Sequence, residues 1–214
     1  MAKDKIQDFE GAKEDYERYM ILFDKQNKEE YEKIKSELNN LINKIREKIV
    51  NKKYDEALMD SRNIIDSYPK YPNGYIIRGD VYFAMQKYKQ ALDDYKKALS
   101  LSSNNNKNFN LYLKLANTEY ELESYKDSID YYLKVINLKP NYEYAYYQLT
   151  GAYIFIENFN NALNCVEKYT KISKTKKIKV SDYSKWTSIL NKYTENETIR
   201  DLKKILKELS FIQS

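Results

Sequence analysis

Histidine is absent from this chain, and cysteine, proline and glycine are scarce. The 214 residues include no His, one Cys, three Pro and four Gly. Without histidine there is no Ser-His-Asp or Cys-His catalytic group and no His-containing zinc site. One cysteine forms neither an intrachain disulfide nor a Cys-only metal cluster, and four scattered glycines form no phosphate-binding loop. We therefore expect no cofactor, no metal and no catalysis.

The side chains that remain as candidates for chemistry have simpler structural explanations. The adjacent carboxylates of Asp93 and Asp94 fall on the charged outer face of an amphipathic helix, where we expect both to be solvated. Cys165 lies on an apolar stripe and has no histidine to activate it, so we interpret it as a structural thiol.

Long apolar runs are also missing. No run approaches the roughly 20 residues that span a bilayer, and the N-terminal ten residues alternate in charge without the apolar core of a signal peptide. Charged residues make up 32% of the chain and hydrophobic residues 42%, which favours a thin helical stack over a single compact ball. These features predict a cytoplasmic helical protein.

An internal repeat is the main feature that is present. Four segments begin with an aromatic residue, at Tyr54, Tyr88, Tyr125 and Phe159, and these starts lie 34, 37 and 34 residues apart. Each aromatic is followed three positions later by Ala or Ser and then by Leu or Ile. Small residues on facing helices allow close packing, and regular self-similarity of this length is typical of helical repeats.

This pattern resembles the tetratricopeptide repeat, a helix–turn–helix unit of 34 residues. The resemblance implies an all-α fold, a right-handed α-solenoid with extra capping helices at both ends. It divides the chain into an N-terminal helical extension over residues 1–37, four repeats over 38–174, and a basic linker with a capping helix pair over 175–214. The expected helix pairs are 38–51/54–67, 72–86/88–101, 108–122/125–137 and 141–156/159–173.

Both ends of the chain show amphipathic helical patterns outside the four repeats. Residues 3–24 predict a helix that packs against the next one or serves in dimerisation or partner docking. Asn27 and Glu30 read as a capping box that begins a helix at residue 28. Helices are also expected from Ser181, with Trp186 in the core, and from Asn196 to Ile212, as a degenerate fifth repeat.

The resemblance also implies a concave groove lined by the first helices of successive repeats, which binds a peptide or a helix of a partner protein. The positions that line it are Ile42, Arg46 and Ile49 in the first unit; Asn73, Ile76, Ile77, Asp80 and Phe83 in the second; Leu113, Asn117 and Tyr120 in the third; and Tyr144, Tyr147, Gln148, Ile154 and Phe155 in the fourth. This lining is apolar, as interaction surfaces often are.

Some members of that family hold the C-terminal carboxylate of a chaperone in a clamp of basic and amide side chains. The corresponding positions here are Ile42, Arg46, Ile77, Asn110 and Lys114, or, one unit later, Ile76, Asp80, Lys114, Tyr144 and Gln148. Neither set supplies the cations and amides that bind a carboxylate, so we expect no clamp of this kind.

Two alternatives to an open groove remain. The C-terminal helix carries Leu202, Ile205, Leu206 and Leu209 and could fold back as a plug, giving a self-occluded scaffold that dimerises. Residues 171–214 contain ten Lys, one Arg and five acidic residues, a net charge of +6 in a chain of net +5. A basic segment of this kind could bind RNA or an anionic membrane surface.

Overall fold

A computed structural model describes residues 25–102, 108–173 and 177–210. Within these ranges all regular structure is helical, which confirms the expected all-α helical-repeat class. The helices are α1 Lys25–Val50, α2 Tyr54–Ser67, α3 Pro72–Ala84, α4 Tyr88–Leu101, α5 Phe109–Glu121, α6 Tyr125–Leu138, α7 Glu143–Phe155, α8 Phe159–Ile172, α9 Val180–Leu190 and α10 Glu197–Ser210.

The turn inside each helix pair is the same in all four repeats. It contains one non-glycine residue with positive φ, at Lys52, Gln86, Glu123 and Glu157, with φ between 57° and 63°. The amide of the next residue donates to a carbonyl five positions earlier, as Lys53 N does to Lys48 O at 2.8 Å. This is a Schellman motif, which satisfies carbonyl groups at the end of a helix.

The described residues fall into two compact units, one ending at Thr118 and the other beginning at Glu119. In the first unit, α1 packs on α2 and α3, and α3 packs on α4. Its core includes Leu38, Ile45, Ile64 and Val81. In the second unit, α7 packs on α6, α8 and α9, and α10 packs on α8 and α9.

A small residue allows the close approach of α3 and α4 in the first unit. A Cβ at Gly79 would lie 2.6 Å from Cε1 of Tyr95, closer than carbon atoms can pack. Tyr95 itself is 2% exposed and so fills the space beside the glycine backbone. The pairing of a small residue with a large aromatic across two helices is what the repeat pattern predicts.

The C-terminal helices cap the second unit. Leu202, Leu206 and Leu209 of α10 are buried together with Val166 of α8, in the core that also contains Trp186. The prediction that Trp186 is a core residue is therefore confirmed. The prediction that α10 plugs a groove is wrong, because its apolar face is already used in packing against α8 and α9.

The start of α1 differs from the sequence prediction. Helix α1 already includes Lys25, so Asn27 does not begin it and the capping-box prediction is wrong. A capping motif is a short local pattern, and uninterrupted helix-forming residues on both sides can override it. The helix predicted over residues 3–24 lies outside the described residues.

Candidate interaction site

Three of the sixteen predicted groove residues lie in the core. Ile42 is 5% exposed, Ile77 1% and Ile154 0%. Ile42 and Ile77 pack together in the first unit, and Ile154 packs in the second. These side chains cannot contact a partner while the helices remain packed, so the prediction that they line an open groove is wrong.

An open pocket lies between α3 and α5 in the first unit, and we call it the α3–α5 pocket. It has a volume of about 240 Å³ and is lined by Asp80, Phe83, Ala84, Tyr95, Lys114 and Asn117. Phe83 is half-buried, and its ring meets the Tyr88 ring edge-on with centroids 5.2 Å apart. The structure thus brings three predicted residues, Asp80, Phe83 and Asn117, into one concave site.

Asp80 is the acidic residue that lines the α3–α5 pocket, and it accepts two hydrogen bonds there. Its Oδ1 accepts hydrogen bonds from the Tyr95 hydroxyl at 2.7 Å and from Lys114 Nζ at 2.6 Å. Burial, followed by the nearby Asp80 carboxylate, raises the pKa of Tyr95 well above its usual value. The phenol therefore stays protonated and continues to donate to Asp80. Both of these hydrogen bonds use Oδ1 and none within the described residues uses Oδ2.

The neighbouring acidic residue Asp94 is not solvated, contrary to the sequence prediction. It is 5% exposed and accepts two hydrogen bonds from Arg78, from Nε to Oδ2 at 2.8 Å and from Nη2 to Oδ1 at 2.7 Å. This bidentate pair links α3 to α4. Asp93, one residue earlier, is exposed as expected.

A second open pocket lies in the other unit, and we call it the tyrosine pocket. It has a volume of about 270 Å³ and is lined by Glu143, Tyr144, Tyr147, Gln148, Tyr169, Lys177, Ile178 and Lys179. Three predicted groove residues, Tyr144, Tyr147 and Gln148, therefore lie together here. Tyr144 is 38% exposed, whereas the other two are half-buried.

Tyr120 and Phe155 lie in an aromatic cluster of the second unit. The Phe155 ring stacks on the Tyr125 ring with centroids 4.4 Å apart, and the Tyr120 ring meets both of these rings edge-on. A Cβ atom added at Gly151 would lie 2.5 Å from the hydroxyl oxygen of Tyr120, so this hydroxyl packs closely against the glycine. Both predicted residues are thus half-buried and engaged in packing.

The five other predicted residues lie at partly accessible positions in the first unit. Arg46 is exposed and donates to Asn43 Oδ1 at 3.0 Å, and Asn73 donates to the Tyr71 hydroxyl at 3.2 Å. The remaining side chains are half-buried: Ile49, Ile76 and Leu113.

The environment of Cys165 opposes nucleophilic chemistry. The side chain is half-buried, and burial raises the pKa of its thiol to about 12, which keeps the reactive thiolate scarce at neutral pH. Over residues 25–102, 108–173 and 177–210, no group of three or more acidic or cysteine side chains is placed to hold a metal ion. In the same ranges no helix is long and apolar enough to cross a membrane.

Eight residues that line the two pockets are not among the predicted groove residues: Ala84, Tyr95, Lys114, Glu143, Tyr169, Lys177, Ile178 and Lys179. Lys114 enters the sequence analysis only as a clamp position, yet its Nζ lies 2.6 Å from Asp80 Oδ1. Helices α3 and α5 begin 37 residues apart, so Asn117 and not Lys114 is equivalent to Asp80, and no repeat spacing marks the ion pair. Lys177 and Lys179 belong to the predicted basic linker, and no regular sequence pattern marks them as part of a pocket wall.

Comparison with known proteins identifies the repeat. Two models of the tetratricopeptide repeat match the chain, at residues 72–105 and 109–142. A search of curated proteins finds no match.

Similar solved structures include YrrB, described as a TPR protein with an unusual peptide-binding site. YrrB has 18% identity and a TM-score of 0.65 over 81% of this chain and 84% of that one. MamA from Desulfovibrio magneticus RS-1 has 16% identity and a TM-score of 0.64 over 80% of this chain and 93% of that one. Pseudomonas aeruginosa PilF has 16% identity and a TM-score of 0.58 over 79% of this chain and 75% of that one. At these identities the similarity is one of fold.

Proposed function

Because the chain is a tetratricopeptide repeat protein, and such proteins are typically non-catalytic interaction scaffolds, we propose that it binds a helix or peptide segment of a partner protein on its first-helix faces. The α3–α5 pocket carries this proposal, since first helices of two successive repeats contribute Phe83 and Asn117 to one open site. We further propose that the chain has no catalytic activity and acts in the cytoplasm, where a free thiol such as Cys165 is common.

The chemistry of the α3–α5 pocket suits a side chain with both apolar and polar parts. Phe83 offers an aromatic wall, and aromatic contacts supply much of the energy of protein interfaces. Asp80 and Lys114 form an ion pair of zero net charge, so the pocket presents an acceptor and a donor together without selecting a charged ligand. A segment anchored in this way would gain orientation from the polar pair and affinity from the ring.

A pair of matched substitutions tests the proposal. Phe83→Glu puts a charge into the pocket, and Met59→Glu puts the same charge at an exposed position of α2, where Met59 is 58% exposed. We expect Phe83→Glu to lose the proteins that wild type captures from its native cell, and Met59→Glu to retain them. Circular dichroism and thermal melting should be close to wild type for both variants.

Ile77→Glu is a reference variant for loss of binding that is caused by unfolding. Because Ile77 is 1% exposed, a buried unpaired carboxylate there should unfold the first unit rather than merely abolish binding. If Phe83→Glu instead captures the same proteins as wild type, the α3–α5 pocket is not the interaction site.

A further inference from the structure

Three tyrosines line the tyrosine pocket, and the protein itself binds the hydroxyl of each one. The Tyr147 hydroxyl donates to Asp182 and accepts from the Lys179 backbone amide at 3.2 Å. The Tyr169 hydroxyl donates to the Lys177 carbonyl at 2.5 Å, and the Tyr144 hydroxyl accepts from Gln148 at 3.1 Å. With their hydroxyls held by protein partners, the exposed Tyr144 and the half-buried Tyr147 offer ring carbon to a ligand, whereas Tyr169 is buried behind them.

Residues 177–179, which directly precede α9, form one side of the tyrosine pocket. Ile178 is 2% exposed and belongs to the core of the second unit. This buried anchor, together with the backbone bonds to Tyr147 and Tyr169, fixes Lys177 and Lys179 at the pocket.

The charge beside the tyrosine pocket is positive. Lys177 and Lys179 are exposed, and neither has a carboxylate partner among the described residues. Glu143 is the acidic residue in the lining, and the Asp182 carboxylate is already bound by Tyr147. The pocket therefore combines an apolar interior with a basic edge.

From this combination we propose that the tyrosine pocket is a second interaction site, which binds a large apolar side chain within an acidic segment of a partner protein. The volume of about 270 Å³ is smaller than most pockets for drug-sized ligands, and it suits one side chain. The acidic residues next to that side chain pair with Lys177 and Lys179. This inference rests on the interaction role proposed above but uses a different pocket in the other unit.

Selection from a display library of random twelve-residue peptides tests the inference on the full chain. We expect recovered peptides to be enriched in Asp and Glu around a Leu, Phe or Trp. A fluorescent copy of the most enriched acidic peptide should bind less tightly as salt is added, because exposed charges are screened within about 8 Å at physiological ionic strength.

Three variants identify the pocket. Lys177→Glu/Lys179→Glu and Tyr144→Ala should each weaken binding of that peptide about tenfold or more, the first through charge and the second through lost ring contact. Lys89→Glu/Lys97→Glu makes the same change of net charge at exposed positions of α4, and it should bind like wild type. Circular dichroism checks that all three are folded.

Each alternative outcome overturns the inference. Enrichment of basic or neutral peptides, or no enrichment at all, contradicts the acidic partner. An acidic peptide unaffected by the two pocket variants binds elsewhere. If a single-stranded RNA oligonucleotide binds with the same dependence on Lys177 and Lys179 while the peptide does not, the basic edge serves a polyanion. None of these outcomes bears on the proposed function, because the Phe83→Glu experiment tests the α3–α5 pocket independently.

Discussion

Asp80 and Asp94 carry the same carboxylate in the same repeat, yet their surroundings give them different roles. Asp94 is buried and both of its oxygens are bound by Arg78. Asp80 uses one oxygen for both Tyr95 and Lys114, and its side chain lines the open α3–α5 pocket. The first carboxylate therefore holds two helices together, and the second forms part of the wall of the proposed binding site.

Removing the partner of Asp94 should destabilise the protein strongly. We expect Arg78→Met to lower the free energy of unfolding by about 3 kcal/mol, because it leaves a buried carboxylate without its cation. The double variant Arg78→Met/Asp94→Leu should recover part of this loss. Urea unfolding followed by circular dichroism measures both changes.

Asp93→Asn is the matched control for this ion pair. Asp93 is exposed, so its substitution should change the free energy of unfolding by less than about 0.5 kcal/mol. Equal effects of Arg78→Met and Asp93→Asn would show that the Arg78–Asp94 pair contributes nothing to stability.

Cys165 should react slowly with thiol reagents. Its pKa is raised to about 12 by burial, so the thiolate is rare near pH 8, and we expect a rate with Ellman's reagent roughly a hundredfold below that of the unfolded chain. Measuring the rate in buffer and in guanidinium chloride gives the comparison. A rapid reaction of the folded protein would mean that the thiol is accessible and ionised.

At the scale of the helix pair, the four equivalent turns all place a non-glycine residue in the left-handed region. Such a residue costs on the order of 1 kcal/mol relative to glycine, whose absent Cβ removes the clash. The scarcity of glycine in this chain thus extends to the positions where glycine would fit best. Each turn retains a small strain that its two hydrogen bonds and the packing of the pair offset.

Gln86→Gly should relieve this strain and stabilise the first unit by about 0.5–1 kcal/mol. Lys97→Gly, at an exposed position inside α4, should do the opposite and cost about 1 kcal/mol, since glycine weakens a helix interior. Thermal and urea unfolding of the two variants should therefore shift in opposite directions. A shift in the same direction would contradict the role assigned to the turn.

The helices could largely be predicted from the sequence, because each repeat restates the same spacing of aromatic and small residues. Helices α2 and α4 have the predicted bounds, Tyr54–Ser67 and Tyr88–Leu101. The first helices of the pairs end a residue or two earlier than predicted, since the turn residues such as Gln86 leave the helix.

The site was harder to predict because adjacent positions on one helix differ in burial. Ile76 and Ile77 are the same residue type, yet only Ile77 is buried. Hydrophobic spacing identifies an apolar stripe but does not locate its edge, which depends on how close the neighbouring helices come. Lys177 and Lys179 were missed for a related reason, since a buried Ile178 between them fixes a connection that composition alone suggests is solvated.

At the scale of the whole molecule, several of the abundant tyrosines are buried in each of the two units. Burial raises the pKa of Tyr71 to about 12 and raises those of Tyr95, Tyr120, Tyr132 and Tyr147 further. A tyrosine whose pKa is higher in the folded state stabilises the fold below the unfolded pKa near 10. That stability is lost as pH rises above 10, because the unfolded chain then releases protons that the folded one retains.

We therefore expect the protein to unfold cooperatively between about pH 10 and pH 12. Absorbance at 295 nm should show the exposed tyrosines ionising first, followed by a second group that ionises together with the loss of helical circular dichroism. The alternative result is that all 23 tyrosines ionise in one step near pH 10 while the protein stays helical. That result would contradict the burial of the second group.

The most direct test of the interaction role is photo-crosslinking in the native cell with benzoylphenylalanine in place of Phe83, and in place of Met59 as the control. Both positions lie in the first unit, but only Phe83 lines the α3–α5 pocket. The proposed function predicts a defined covalent adduct with a partner protein from position 83 and none from position 59. Adducts from position 59 alone, or the same adducts from both positions, would contradict it.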